Sequence, residues 1–407
     1  MPDGLRAQQG LQEAPRVAVE GELAALQADA TRGNADAQNR LGMLYGSGKG
    51  VQQDWAQATS WFRQAAEQGN ASAQFNLGVV HGNGQGVPRD LQQALVWYRK
   101  AAHQGHAKAQ FNLGLMFGNG QGVPQDYEQA RSWYTDAAEQ GHAGAQNNLG
   151  LLFVNGHGVP RDHHQAMFWF RKAAEQGDAA AQNNLGMVHA NGSELAQEFD
   201  KALFWYRKAA EQGYANAQFN LAVLLENGQG TSADPLQALR WYRAAAEQNH
   251  VRAQFGLGRL LEQGHGNGIA ADEALSWCRR AADSGHVPAQ FHLGLRHDSG
   301  HGVPQDQAQA LEWYRRAAEG GHARAQFNLG LMYQVGHGTA CDPVQAYKWL
   351  ALAEVAAGAG ATLGDKPQRQ RLHAEAALDQ RQLEQARRLV QQWLARQAQA
   401  ARQHPGS

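Results

Sequence analysis

Apolar residues in this sequence recur in a pattern that repeats every 36 residues. Nine of the eleven tryptophans follow one another at that interval, with no insertion or deletion between them. They are Trp61, Trp97, Trp133, Trp169, Trp205, Trp241, Trp277, Trp313 and Trp349. Because a fixed period of this length is typical of a tandem array, the pattern predicts nine units between Asn34 and Ala357. We number positions within each unit from residues 34, 70, 106 and so on, which are position one.

Each unit contains two stretches with the apolar spacing of an α-helix. In the first stretch of the third unit, small or apolar residues stand at positions two, four, eight, nine and twelve, a period of about 3.6. The second stretch runs from about Tyr127 to Gln140 and places its alanines and aromatic residues on one face. Between the stretches, glycines permit positive φ, Pro124 cannot extend the first helix, and Asp126 can accept N–H bonds from the second. The unit is therefore predicted to be a helical hairpin.

Two kinds of glycine recur at fixed positions. The last residue of most units is a glycine, predicted to be the left-handed cap of the second helix, and the sixth unit has Asn249 instead, the next-best residue at positive φ. A second glycine stands at position nine, inside the first helix, where it costs about 1 kcal/mol of helix propensity relative to alanine. We expect close approach of the tryptophan-bearing helix to require it. These glycines are Gly42, Gly78, Gly114, Gly150, Gly186, Gly258, Gly294 and Gly330.

One hairpin is too small to bury its own aromatic residues, so the units are expected to stack into an all-α solenoid with a continuous core. We predict a half-repeat cap at 19–33, the repeats at 34–357, and capping helices at 358–401 whose Leu383, Ala386, Val390 and Trp393 seal the open end. Residues 1–18 and 402–407 are expected to be disordered.

The composition of the chain argues against several classes of function. Lysine and arginine number 36 and aspartate and glutamate 37, so the net charge of −1 lacks the basic excess that nucleic-acid binding uses. No run of 18 apolar residues occurs, which argues against a membrane span. The first 20 residues lack an apolar export signal, so a cytoplasmic location is expected, with the periplasm as the alternative if the start codon is wrongly assigned.

The residues that could carry chemistry are better explained by structure. His286, His292, His297 and His301 lie near one another in the sequence, but His292 and His297 would diverge on one helix, so no metal site is expected. The glycine-rich turns lack the Lys-Ser or Lys-Thr pair of a phosphate loop, and Ser-x-x-Lys, Gly-x-Ser-x-Gly and His-Glu-x-x-His motifs are absent. Cys278 replaces the aromatic residue after Trp277 and is interpreted as a packed thiol. We expect neither a cofactor nor catalytic residues.

The repeated residues resemble a known family. The motifs Ala-x-Ala-Gln-x-x-Leu-Gly, Gly-x-Gly-x-Gly-Val-x-x-Asp and Ala-x-x-Trp-Tyr-x-x-Ala-Ala-x-x-Gly are similar to the Sel1-like repeat, a relative of the tetratricopeptide repeat. The segment from Ala376 to Trp393 is similar to the helix that closes bacterial arrays of this kind. The resemblance implies a right-handed superhelical solenoid and a non-enzymatic adaptor that binds a polypeptide. A cysteine-rich branch of the family supplies the alternative, a binder or hydrolase of a β-lactam or peptidoglycan fragment.

The resemblance also implies a binding groove lined by the first helices. Position seven is asparagine in six units, position fourteen in five, and positions three and ten change in size and charge from unit to unit. In related superhelices such asparagines bind peptide backbone, and the arginines here would suit an acidic segment; the alternative is that asparagine and the phenylalanines at position six only join neighbouring repeats. The candidate groove residues are Asn76, Lys108, Asn112, Asn148, Asn184, Asn220, Arg252, Arg259, Arg296, Arg324 and Asn328.

Overall fold

The computed structural model describes residues 21–192, 197–264, 271–359 and 363–403, which form helices and connecting turns without a strand. The helices are α1 (residues 21–31), α2 (Ala35–Ser47), α3 (Trp55–Glu67), α4 (Ala71–Asn83), α5 (Leu91–His103), α6 (Ala107–Asn119), α7 (Tyr127–Glu139), α8 (Ala143–Asn155), α9 (His163–Glu175), α10 (Ala179–Asn191), α11 (Phe199–Glu211), α12 (Ala215–Asn227), α13 (Pro235–Glu247), α14 (Val251–Glu262), α15 (Ala271–Asp283), α16 (Val287–Ser299), α17 (Gln307–Glu319), α18 (Ala323–Val335), α19 (Pro343–Gly358), α20 (Lys366–Ala376) and α21 (Gln380–Gln403). Even-numbered helices from α2 to α18 are the first helices of the nine units, and the following odd-numbered helices are the second.

Each hairpin begins and ends where its capping residues dictate. In the third unit, the carboxylate of Asp126 accepts the N–H groups of Glu128 and Gln129, both at 3.0 Å, at the start of α7. Gly120 ends α6 in the left-handed region with a φ of 67°. The predicted helix–turn–helix unit is therefore confirmed, together with the capping role of Asp126.

The boundary between units uses the left-handed conformation as predicted. Gly141 ends the third unit with a φ of 87°, and Asn249 takes the same role in the sixth unit with a φ of 63°. Within the described residues, Asn249 is the single non-glycine residue with a positive φ. Asparagine tolerates this conformation better than other non-glycine residues, which explains why it can replace glycine here.

The contacts between residues divide the chain into two compact units, residues 1–209 and 210–407. The core of each is built from the same positions of the repeat. In the first, Leu77 and Leu113 at position eight are completely buried, and in the second Leu257 and Leu293 are. Close packing of the hairpin explains the glycine at position nine: a Cβ atom on Gly78 would lie 2.6 Å from the ring of Tyr98, the residue after the tryptophan. The expected close approach of the second helix is confirmed.

The C-terminal helices pack against the last hairpin. Ala386 of α21 is completely buried and belongs to the apolar cluster around Leu350, while Val390 and Trp393 contact the cluster that contains Trp349. Helix α21 extends to Gln403, two residues beyond the boundary expected at 401. Residues 1–18 and 404–407, expected to be disordered, lie outside the described residues.

Candidate functional site

Each first helix has a face formed by positions three, seven, ten and fourteen, and these faces together are named here the first-helix face. Helical spacing places these four positions on one side of each helix. Position three is exposed at Lys108, Arg252 and Arg324, and position fourteen is exposed wherever it is asparagine. Position ten is apolar in eight units and is Arg259 in the other. The apolar residues are Met43, Val79, Leu115, Leu151, Met187, Val223, Leu295 and Leu331.

The asparagines at position seven join neighbouring repeats. Where the preceding unit has asparagine at position six, the two amides pair: Asn76 Nδ2 donates to Asn39 Oδ1 at 2.9 Å, and Asn184 pairs with Asn147 at 2.8 Å. Where the preceding unit has phenylalanine there, the partner is the tyrosine hydroxyl of the second helix, as in the 3.2 Å bond between Asn148 and Tyr134. The side chains of Asn112 and Asn328 contact Tyr98 and Tyr314 in the same way, and Asn220 is half-buried like the others. These contacts are the ones that the packing alternative requires.

Phenylalanine at position six stacks on the histidine that begins the next unit. The ring centroids of Phe75 and His106 are 4.8 Å apart, and those of Phe291 and His322 are 4.2 Å apart. The same imidazoles cap the helices that follow, since His106 Nδ1 accepts the N–H of Ala109 at 3.3 Å. The histidines with this bond, named here the capping histidines, are His106, His142, His250 and His322.

Burial lowers the pKa of each capping histidine below its usual value, which keeps the accepting nitrogen unprotonated. The sequence analysis did not identify the pairing of these histidines with phenylalanine. The signal was present: units with phenylalanine at position six precede units that begin with histidine, whereas Asn39, Asn147 and Asn183 precede Asn70, Asp178 and Tyr214.

Glutamine at position five forms a second inter-helix ladder that sequence reasoning did not identify. Gln110 Nε2 donates to the carbonyl of Ala102 at 3.2 Å, and Gln110 Oε1 accepts from Gln140 at 2.6 Å. In the seventh unit Ser284 replaces the second glutamine, and the buried Oε1 of Gln254 has no hydrogen-bond partner among the described residues. The glutamines are therefore structural, and their recurrence at one helical position was the available signal.

The four predicted groove arginines fall into two groups. Arg252 and Arg324 are exposed on the first-helix face. Arg259 forms an ion pair with Glu226, and Arg296 is only 5% exposed, with its guanidinium on Glu262 and its Nε donating to the carbonyl of His301 at 3.0 Å.

This burial differs from the expectation that Arg296 lies on the groove wall. Arg296 stands at position eleven, which is buried and apolar in most other units, and a buried guanidinium requires a paired carboxylate. Glu262 meets that requirement.

Acidic residues at position thirteen distinguish units six to eight from the others. The hydroxyl of Tyr242 donates to Glu226 at 2.7 Å, and the hydroxyl of Tyr314 donates to Asp298 at 3.1 Å. In the seventh unit the tyrosine is replaced by Cys278, which is completely buried, as interpreted from the sequence. Burial, with a contribution from Glu262, raises the pKa of the Cys278 thiol to about 12, so it is protonated at neutral pH.

Comparison with known proteins identifies the repeat. The family model described as Sel1 repeat matches nine consecutive segments, residues 35–70, 71–106, 107–142, 143–178, 179–214, 215–250, 251–286, 287–322 and 323–354. The chain belongs to the Sel1 repeat family. Sel1 repeat proteins are generally non-enzymatic and mediate protein interactions.

Two solved structures of Sel1 repeat proteins share 36% sequence identity with the chain. One is a protective antigen present in uropathogenic Escherichia coli strains that displays an SLR fold; the match has a TM-score of 0.80 and covers 96% of this chain and 85% of that one. The other is a Sel1 repeat protein from Oxalobacter formigenes, with a TM-score of 0.60 and coverage of 76% and 90%. A search of curated proteins finds no match to the chain. Within the described residues, none of the Sel1 repeat helices is long and apolar enough to cross a membrane.

Proposed function

We propose that the protein is a non-enzymatic scaffold that binds a polypeptide along the first-helix face. The apolar stripe at position ten carries this proposal. Met43, Met187 and Leu295 are 46%, 41% and 40% exposed, although the repeat core is already filled by the leucine at position eight. The other five apolar residues at this position are half-buried. Large apolar side chains exposed at one position of three units are typical of a surface that binds other proteins.

Polar residues on both sides of the stripe suit an extended peptide. The asparagines at position fourteen are exposed, and each amide can donate to a peptide carbonyl and accept from a peptide N–H. They are better placed for this role than the asparagines at position seven, whose amides bind the neighbouring repeat. Position three varies between units while the packing positions do not, so it can provide selectivity for the partner's side chains.

The exposed charges favour an acidic partner at the second compact unit, residues 210–407. Arg259 at position ten and Arg296 at position eleven are ion-paired with Glu226 and Glu262, and the side chains of Arg252 and Arg324 at position three are exposed. Guanidinium groups bind carboxylates with paired, charge-assisted hydrogen bonds. We infer that this part of the face contacts a segment rich in aspartate or glutamate, or a terminal carboxylate.

A paired set of variants tests this assignment on a partner isolated by affinity capture and identified by mass spectrometry. The double change Arg252→Glu and Arg324→Glu should weaken binding of the purified partner at least about tenfold, equivalent to about 1.4 kcal/mol. The matched control, Arg240→Glu with Arg279→Glu, reverses two exposed arginines on the second helices α13 and α15 and should leave binding unchanged. Both variants should retain the helical content and melting temperature of the unmodified chain.

A second pair of variants separates the apolar stripe from general surface hydrophobicity. Leu295→Asp changes position ten, whereas Leu236→Asp changes a more exposed leucine, 53% accessible, on the second helix α13. Loss of binding in the Leu236 variant alone would place the partner on the second helices. If a β-lactam or peptidoglycan fragment stabilises the protein and no polypeptide is captured, the small-ligand alternative replaces the scaffold.

A further inference from the structure

Three positions of the repeat meet in space where the third hairpin packs against the fourth. They are position thirteen of a first helix, the residue after the tryptophan in the second helix, and position seven of the next unit. In the third unit these residues are Gly118, Tyr134 and Asn148. The Tyr134 hydroxyl is 3.2 Å from Asn148 Nδ2, and a Cβ atom on Gly118 would lie 3.6 Å from the same hydroxyl. We name these three positions the junction set.

The junction set of the seventh unit is Glu262, Cys278 and His292. All three residues differ from the glycine, tyrosine and asparagine of the third unit, and all three carry metal-ligating atoms. His292 Nε2 is 2.8 Å from Glu262 Oε2, and Cys278 Sγ is 3.8 Å from Glu262 Oε1. One ligating atom from each residue lies within 4.8 Å of those of the other two.

The coincidence is specific to this junction. The sixth unit has an acid at position thirteen but combines Glu226 with Tyr242 and Gly256, and the eighth combines Asp298 with Tyr314 and Asn328. Neither has a thiol or an imidazole. Three residues that are unusual for their repeat positions, and that lie 14 to 30 residues apart in the sequence, are therefore brought together by the fold.

We propose that Glu262, Cys278 and His292 bind a divalent metal ion of the zinc type. A thiolate, an imidazole and a carboxylate are the ligands that zinc prefers, and three protein ligands leave one position for water. Bond lengths of about 2.0–2.3 Å in a tetrahedral site place ligand atoms about 3.3–3.8 Å apart. The imidazole and carboxylate atoms, now 2.8 Å apart, must separate by about 0.5–1 Å, and a pair at the 4.8 Å limit must close by about 1–1.5 Å, which side-chain rotation supplies. The side chains of His292 and Glu262 are 26% and 20% exposed, so the ion has a route from solvent.

The positive charge of Arg296 lies next to Glu262 and would repel a metal ion there. The two carboxylate oxygens of Glu262 face different partners, however, and this separates the two charges. The guanidinium of Arg296 contacts Glu262 Oε1, and its Nε donates to the His301 carbonyl at 3.0 Å, which holds the carboxylate in place. Glu262 Oε2 faces His292, so the ion can occupy that side while Arg296 remains an outer partner of the ligand. On binding, His292 Nε2 gives up the proton that it shares with Glu262 Oε2, Nδ1 carries the ring proton, and the Cys278 S–H bond breaks. The released protons pass to solvent as metal–nitrogen and metal–sulfur bonds form, so the ion faces two anionic ligands and a neutral imidazole. Of the four histidines considered from the sequence, this site uses His292 alone.

Cobalt(II) is the probe for this site because it replaces zinc and absorbs light. Titration of the metal-free full chain should give a thiolate-to-cobalt charge-transfer band in the near ultraviolet and intense visible bands of a four-coordinate ion, saturating at one equivalent. One equivalent of zinc should remove both. Cys278→Ser should abolish the charge-transfer band, and Cys341→Ser, which removes the exposed cysteine, should leave it unchanged.

His292→Asn keeps the test independent of folding, because asparagine is the residue that six other units have at this position. This variant should melt like the unmodified chain yet bind cobalt at least about tenfold more weakly. The proposal is overturned if cobalt gives no charge-transfer band, or if the band survives Cys278→Ser or is lost in Cys341→Ser. Unweakened cobalt binding by His292→Asn would equally overturn it. A chain that binds no cobalt would mean that Arg296 and Glu262 are an ion pair that only fills the space left by the smaller Cys278.

Discussion

Replacing Gly78 by alanine should destabilise the second repeat, although alanine is the better helix former. The new Cβ atom would lie 2.6 Å from two ring carbons of Tyr98, whereas carbon atoms normally approach to about 3.5–4.0 Å. The ring must therefore move by about 1 Å. It is 7% exposed, and its hydroxyl is hydrogen-bonded to the side chain of Asn112, so the movement disturbs both packing and this bond.

The expected size follows from three contributions. Overpacking a core costs about 1–3 kcal/mol. Loss of the hydrogen bond between Tyr98 and Asn112 costs about 1 kcal/mol. The gain in helix propensity from glycine to alanine is about 1 kcal/mol. The free energy of unfolding should therefore fall by about 1–3 kcal/mol.

Gly82 provides the control in the same helix. A Cβ atom there would meet Ala94 Cβ at 3.6 Å and the Tyr98 hydroxyl at 3.7 Å, which are ordinary contacts. Gly82→Ala should therefore stabilise the protein by about 0.5–1 kcal/mol. Urea denaturation gives the global effect, and amide hydrogen exchange in α4 and α5 gives the local one, because repeat arrays need not unfold in one step. Equal stabilisation by both substitutions would refute the packing explanation.

The chain itself contains the compensating change. In the sixth unit position nine is Ala222, and the Tyr242 ring instead lies against Gly256, where a Cβ atom would be 2.9 Å away. Gly256 occupies position seven of the next unit, which corresponds to Asn112. The double variant Gly78→Ala with Asn112→Gly should therefore lose less stability than the two single variants added together, by at least about 1 kcal/mol. Strict additivity would show that the ring does not couple the two positions.

Two further predictions concern the polar contacts between repeats. The folded state depresses the pKa of the capping histidines below the usual 6.5, so its stability should be constant above that pH and fall as the pH drops through 6.5 towards the depressed values, by at most about 1.4 kcal/mol per pH unit for each histidine. Replacing all four by asparagine, which caps the same position at Asn70, should reduce the fall in melting temperature between about pH 7 and 5, and an unchanged slope would contradict the assignment. Ser284→Gln should restore the missing partner of Gln254 and raise the unfolding free energy by about 1 kcal/mol in urea denaturation, whereas Ser284→Glu cannot donate that bond and should not.

The repeated features of the fold could be predicted because the same residue pattern occurs in nine units, so that each unit supports the same assignment. Asp126, Asn249 and the glycines at position nine were assigned from local chemistry, namely capping, positive φ and the cost of glycine in a helix. These effects act within one hairpin, so the sequence near each residue contains the relevant information.

The position of Arg296 could not be predicted from its charge. A charged side chain is usually exposed, but Arg296 is buried because Glu262, 34 residues earlier in the chain, supplies the opposite charge. The ion pair depends on which side chains two adjacent hairpins bring together. The pairing of Phe75 with His106 has the same origin, and it becomes visible only when positions are compared across neighbouring units.

The junction set shows how one backbone arrangement can support packing in one place and chemistry in another. With glycine, tyrosine and asparagine the junction is a hydrogen-bonded packing contact, and with glutamate in place of glycine it holds a half-buried carboxylate that accepts from the tyrosine hydroxyl. Cys278 removes the ring that otherwise separates position thirteen from position seven, so Glu262 and His292 can reach each other. A residue that recurs in every unit is required by the fold, whereas a group of residues that changes together at one junction is free of that requirement. Comparison between units of a single chain therefore separates the residues that build the array from those that can give it a ligand.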